Sequence, residues 1–178
     1  MPGDVRATSF AELYGAYARD VYRFALYLSG NIALAQDITS ETFLHVWVAE
    51  QPVRLGSVKA WLFVIARNCY LHELRRLHRK MPLDPAMPAG DSVPATPEGA
   101  LAAQQELTRV LKAVAALPEA DRFALLLRAI EGFSYTEIAA ALHISIAAAK
   151  VKVHRARLRL ASQGLGGIDH EHIQRRHS

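Results

Sequence analysis

Five of the 8 prolines in this 178-residue chain fall between Met81 and Pro97, at Pro82, Pro85, Pro88, Pro94 and Pro97, with Gly90, Asp91 and Ser92 among them. Proline has no amide proton to give a helix interior, and its ring clashes with the preceding turn, so no helix runs through this stretch. The stretch also offers little apolar surface to bury, and it reads as a linker. The chain is therefore constrained to close two small cores, one on each side. With 51% hydrophobic residues it has the material for both. On both sides apolar residues recur at helical spacing, and no segment alternates as a strand would. The expected fold class is all-α, with two small helical domains at 1–80 and 98–162, a flexible linker at 81–97, and a mobile tail at 163–178.

The first half predicts three or four helices. Ser9 and Glu12 form a capping box, followed by Phe10, Leu13, Tyr14, Tyr17, Val21, Phe24 and Leu28 on one face. Gly30 ends this helix, with room for a break inside it. Asn31 caps the next, through Ile38, Phe43, Val46 and Trp47 as far as Pro52. Ser57 caps a long third helix with Trp61, Leu62, Ile65, Cys69 and Leu74. Its far end carries Arg67, Arg75, Arg76, Arg79 and Lys80 against the single acid Glu73.

The second half opens at Thr96-Pro97-Glu98, a capping residue with proline at the first helical position. One helix carries Leu101, Leu107, Val110, Leu111 and Val114. Pro118 opens another, with Phe123, Leu126, Leu127 and Ile130, closed by Gly132. Then comes Ser134–Leu160, SYTEIAAALHISIAAAKVKVHRARLRL. Ser134 and Glu137 form a capping box, His143 and Ile144 make a turn, and Ser145 caps a final helix. That helix holds Lys150, Lys152, Arg155, Arg157 and Arg159 and no acidic residue. Two short helices with small residues between them, the second one basic, are what a helix-turn-helix DNA reader needs.

The net charge of +4 and sequence pI of about 9.4 agree with a polyanionic partner, and the clustering of cations says more than their sum. Cys69 is the only cysteine, which excludes an intrachain disulfide, and its place on a periodic helix makes it a small core residue. The opening MPGDVRATSF lacks the apolar core of a signal peptide, and no apolar run approaches the ~18 residues of a membrane span. A cytoplasmic protein without membrane insertion is expected. His170, His172 and His177 raise a metal-responsive reading, but they lie in the tail with no cysteine nearby, and neither metal nor cofactor is expected. No nucleophile–base pair or glycine-rich phosphate loop appears, so no catalytic residue and no enzyme are expected.

The ordered segments resemble the extracytoplasmic-function (ECF) class of bacterial RNA polymerase sigma factors in the sigma-70 family, in its minimal form with domains two and four. DITSETFLHVW (Asp37–Trp47) is similar to the helix that docks on the polymerase clamp. There the resemblance implies a polar fringe of Asp37, Ser40 and Glu41 and an apolar anchor in Phe43 or Trp47, with a place in the core as the competing expectation for both aromatics. VKAWLFVIARNCYLHELRR (Val58–Arg76) is similar to the helix that reads and melts the −10 element. It implies Arg67, Asn68, His72, Arg75 and Arg76 as contacts, with the loop Gln51–Ser57 at the pocket for an extruded base. Asn68 has the donor and acceptor to read a base edge, or else is a packing amide. ALPEADRFALLLRAIEGFSYTEIAAAL followed by KVKVHRARLRL is similar to the −35-reading domain. Lys150, Val151, Lys152, His154, Arg155 and Arg157 are its implied contacts, with Arg155 on a guanine, Val151 on a thymine methyl, and Lys152 and Arg157 on phosphate. The implied partners are core RNA polymerase, promoter DNA and an anti-sigma factor. Three departures stand out: Ser40 where the family has Gln, His143 where it has Gly, and Ala148-Ala149 where it has Thr-Val. A helix-turn-helix regulator with a helical sensor domain is the second reading. The basic helix at 67–80 argues against it, because a sensor has no need of one.

Overall fold

The computed structural model describes residues 10–49, 57–80 and 98–166. Among them are α1 (Phe10–Ser29), α2 (Ile32–Val48), α3 (Val58–Lys80), α4 (Glu98–Ala115), α5 (Glu119–Ala129), α6 (Tyr135–Leu142) and α7 (Ile146–Ser162), and no strand. The fold is all-α, as expected. The chain divides into two compact units between Gly90 and Asp91. The expected linker, the Ser9 and Thr96 caps, Pro52, most of the loop at 51–57 and the tail histidines lie outside the described residues.

In the first unit local chemistry sets the helix ends. α1 runs unbroken to Ser29, so the expected break is absent, and Gly30 follows at φ 67, where a glycine meets no Cβ clash. Asn31 Oδ1 accepts the amide of Leu34 at 2.9 Å and starts α2. Ser57 Oγ accepts the amide of Ala60 at 3.1 Å and starts α3. Each such cap is worth about 1 kcal/mol, and burial does the rest. Val21, Phe24 and Leu28 of α1, Ile38 and Phe43 of α2, and Leu62, Phe63 and Tyr70 of α3 form the core. Phe24 and Phe63 meet at a ring separation of 4.6 Å. Each of these side chains contributes about 1.5–3 kcal/mol by leaving water. Lys59 Nζ reaches Asp20 Oδ2 at 2.9 Å and ties α3 to α1 at the surface. Tyr70 is the last fully buried residue of α3; beyond it Leu71, Leu74 and Leu77 are half-buried while His72, Arg75, Arg76 and Arg79 are exposed.

In the second unit α5 is the central element. It packs on α6 and α7 and buries Phe123, Leu125, Leu126 and Leu127. The Ser134–Glu137 capping box is complete: Ser134 Oγ accepts the Glu137 amide at 3.2 Å, and Glu137 Oε2 accepts the Ser134 amide at 2.8 Å. α6 closes in a Schellman turn, in which the Ile144 amide donates to the Ala139 carbonyl at 3.0 Å. His143 occupies its left-handed position, at φ 55, ψ 44. The end of α7 uses the same turn with a glycine: Gly164 has φ 75, and the Leu165 amide donates to the Leu160 carbonyl at 2.9 Å. Arg109 of α4 caps that end by donating to the Gln163 carbonyl at 3.0 Å.

The two turns differ in strain, because a side chain in the left-handed region costs roughly 1–2 kcal/mol. His143→Gly removes that cost but adds freedom to the unfolded chain. We expect it to stabilise the second unit by about 0.5–1 kcal/mol net, measured by urea unfolding of the variant against the parent.

Candidate nucleic-acid interface

The rotation of α7 about its axis follows from its apolar stripe. Ala149, Val153, Ala156 and Leu160 recur at helical spacing and are buried. The small alanines let α7 approach α5 and α6 closely. The same rotation exposes Lys150, Val151, His154, Arg155 and Arg157, while Lys152 is half-buried. Ser145 Oγ accepts the amide of Ala148 at 3.1 Å and fixes the helix entry.

The cations on this surface are differently engaged. Asp121, in the first turn of α5, is only 2% exposed. Arg155 clamps it with two hydrogen bonds, Nε to Oδ2 at 3.1 Å and Nη2 to Oδ1 at 2.8 Å. Lys152 Nζ approaches the same carboxylate at 3.7 Å. Hydrogen bonding and the charge of Asp121 hold the Arg155 guanidinium above its usual pKa. Arg155, expected on a guanine edge, thus has its fork directed to a carboxylate in the protein, and Lys152, expected on phosphate, leans the same way. Lys150 Nζ sits 5.8 Å from the Tyr135 ring centroid, and Arg128 stacks there at 4.9 Å. Lys150, Val151 and His154 form the outward face.

The second basic surface is on α3. Asn68, His72, Arg75 and Arg79 lie one above another at helical spacing, and all are exposed. Asn68 is exposed, outside the core of this unit. Arg76 is held by Glu73, with Nε at 3.0 Å and Nη2 at 2.6 Å from Oε2, and Arg67 is half-buried. Of the loop expected beside Asn68, only Ser57 is described.

On α2 the expected aromatic anchors separate. Phe43 is 2% exposed and belongs to the core, packed edge-on against Tyr14 at 4.8 Å between ring centroids. This corrects its placement on a docking surface. Trp47 is 68% exposed and rests one edge on Phe10 at 5.1 Å. Leu44 and Val48 are exposed beside it. Asp37 and Ser40 are exposed, and Glu41 is half-buried, along the same helix.

A helix-turn-helix with a basic outward helix, in one chain with a three-helix unit that carries a basic overhang and an exposed indole, defines a transcription protein of the sigma-70 type. Residues 13–80 match the family model of sigma-70 region 2, and residues 107–160 match that of sigma-70 region 4. The chain is 30% identical over 164 residues to the ECF RNA polymerase sigma factor SigM of Bacillus subtilis (strain 168), covering 90% of this chain and 98% of that relative. It is 35% identical over 155 residues to the ECF RNA polymerase sigma factor SigE of Mycolicibacterium smegmatis (strain ATCC 700084 / mc(2)155), covering 85% of this chain but only 60% of that longer relative. Among solved structures, the sigma factor RpoE in complex with the anti-sigma factor NepR from Bartonella quintana matches with a TM-score of 0.72 at 29% identity, over 86% of this chain and 94% of that one. The chain belongs to the ECF RNA polymerase sigma factors. Among the described residues, no helix is long and apolar enough to cross a membrane.

The sequence reading passed over Asp121. One signal pointed to it: α7 has no acidic residue of its own, so a partner for its cations has to come from another element. Asp121→Asn is expected to lower the melting temperature of the chain. Arg155→Met should lower it in the parent and have little further effect in Asp121→Asn, a non-additivity that a double-mutant cycle in thermal melts measures.

Proposed function

We propose that this chain binds core RNA polymerase, directs it to promoters and opens the −10 region, acting in the cytoplasm and leaving the chemistry of RNA synthesis to the polymerase. Residues 1–80 act as sigma domain two and 98–162 as domain four. The observation that carries this reading is the coexistence of two separate basic helices: α7 in a helix-turn-helix and the overhang of α3 with Asn68 exposed on it. A regulator with a sensor domain needs only the first. Docking falls to Asp37, Ser40, Glu41 and Trp47 on α2. Lys150, Val151 and His154 meet −35 base edges, Lys152 and Arg157 meet phosphate, and Arg155 acts as a positioning residue through Asp121. Asn68 and His72 face the −10 strand, and Arg67, Arg75 and Arg76 hold its backbone. An anti-sigma factor that covers these surfaces is the regulatory partner, a proposal supported by the RpoE–NepR likeness. Transcription reconstituted from core polymerase and this chain on genomic fragments should give defined start sites. Transcripts no different from those of core alone would overturn the reading.

The split of labour between α7 and α3 has its own consequence. Unpairing costs a few kcal/mol per base, and capture of the extruded base offsets it. Asn68→Ala removes one base-edge contact, worth about 1–3 kcal/mol. It should leave closed-complex affinity near the parent value and slow open-complex formation about tenfold or more. A template with a pre-melted −10 bubble should restore most of the rate. Permanganate reactivity of unpaired thymines measures both.

A further inference from the structure

We propose that Glu41, His45 and Cys69 form a binding site for a divalent cation of the zinc class, and that filling it takes Glu41 away from the polymerase-docking face. Glu41 and His45 stand one turn apart on α2, with Glu41 Oε1 and His45 Nε2 separated by 3.8 Å. Cys69 comes from the facing helix α3 and is 3% exposed. The carboxylate oxygen, imidazole nitrogen and sulfur all lie within 4.8 Å of one another. A tetrahedral zinc ion holds sulfur at about 2.3 Å and nitrogen or oxygen at about 2.0–2.2 Å, which places ligand atoms roughly 3.3–3.8 Å apart. Closing the triangle therefore needs shifts of about 1 Å. Those shifts fall on His45 and Glu41, whose long side chains reach the surface, while α2–α3 packing holds the sulfur still.

The chemistry of the donors selects the ion. Thiolate and imidazole favour zinc over magnesium, calcium or manganese, and one carboxylate completes a three-residue set that leaves a fourth position for water. The thiol loses its proton to solvent as the sulfur–metal bond forms, and the carboxylate gains a counter-charge.

The effect on docking rests on the role proposed above for Glu41; the metal site does not. The test starts with cobalt(II) as the probe, titrated into the reduced full-length chain. Cys69 is the only cysteine, so a near-ultraviolet thiolate-to-cobalt charge-transfer band reports on it alone, and the histidines at 170, 172 and 177 cannot produce that band. One equivalent should saturate the band, and zinc should bleach it. Cys69→Ser should abolish it. His45→Ala, at an exposed position that leaves the core intact, should weaken cobalt binding at least tenfold. Absence of the band, or a band indifferent to His45→Ala, overturns the site. The second arm measures affinity for core polymerase with and without one equivalent of zinc. About a tenfold loss in the parent and none in His45→Ala supports the competition. A cobalt band with no zinc effect on polymerase affinity keeps the site and overturns the competition. Failure to bind polymerase in metal-free buffer overturns the docking reading instead, and the band still decides the site.

Discussion

A carboxylate taken out of water without a partner costs several kcal/mol, so the burial of Asp121 makes a demand that another element has to meet. α7 meets it with the planar fork of Arg155, which matches both carboxylate oxygens, and with Lys152 one turn earlier. Because α7 carries no acidic residue, no competing pair draws these cations elsewhere along the same helix. The pairing reinforces the rotation that the buried apolar stripe gives α7 and ties the helix to α5. With that rotation set, Ala149, Val153, Ala156 and Leu160 turn inward and Lys150, Val151 and His154 turn outward. The capping box of α6 and the left-handed turn at His143 deliver α7 to the position that the apolar stripe and the ion pair share.

The first unit is organised differently. Its core is almost entirely apolar, and its charge is pushed to the end of α3. Arg75, Arg76, Arg79 and Lys80 gather near the carboxyl end of the helix, where they complement the helix dipole. They also repel one another, and Glu73 offsets only part of that repulsion by holding Arg76. A cluster of this kind gains most from a polyanion laid along it, and the gain is screened by salt. Carrying these charges beyond Tyr70 keeps them from disturbing the packing of Phe24 on Phe63.

Much of this was legible in the sequence because it is local. Asn31, Ser57, Pro118, Ser134, Glu137 and Ser145 mark helix starts through contacts within one turn, and Gly30 marks an end. The two-unit division follows from the prolines. What escaped depends on how helices turn toward one another. Phe43 and Trp47 are four residues apart in one apolar run, and only the packing of α1 against α2 decides that the first is buried and the second exposed. Arg155 and Asp121 are 34 positions apart, so nothing local separates a base-reading arginine from one that answers a buried carboxylate. The convergence of Cys69 on Glu41 and His45 was hidden for the same reason, since the periodic pattern showed only a small residue suited to a core.

The small buried stripe of α7 has a consequence for how proteins of this build diverge. Positions 149, 153, 156 and 160 and the Arg155 fork carry the attachment of the helix, whereas positions 151 and 154 carry none of it and position 150 only an exposed contact with the Tyr135 ring. Substitutions at the outward positions leave no cavity and strip no buried charge. If these positions meet promoter DNA as proposed, promoter preference can drift while the scaffold stays fixed. On that proposal, a duplicated gene can acquire a new set of target promoters through a handful of surface changes, with no need to rebuild the helix that carries them.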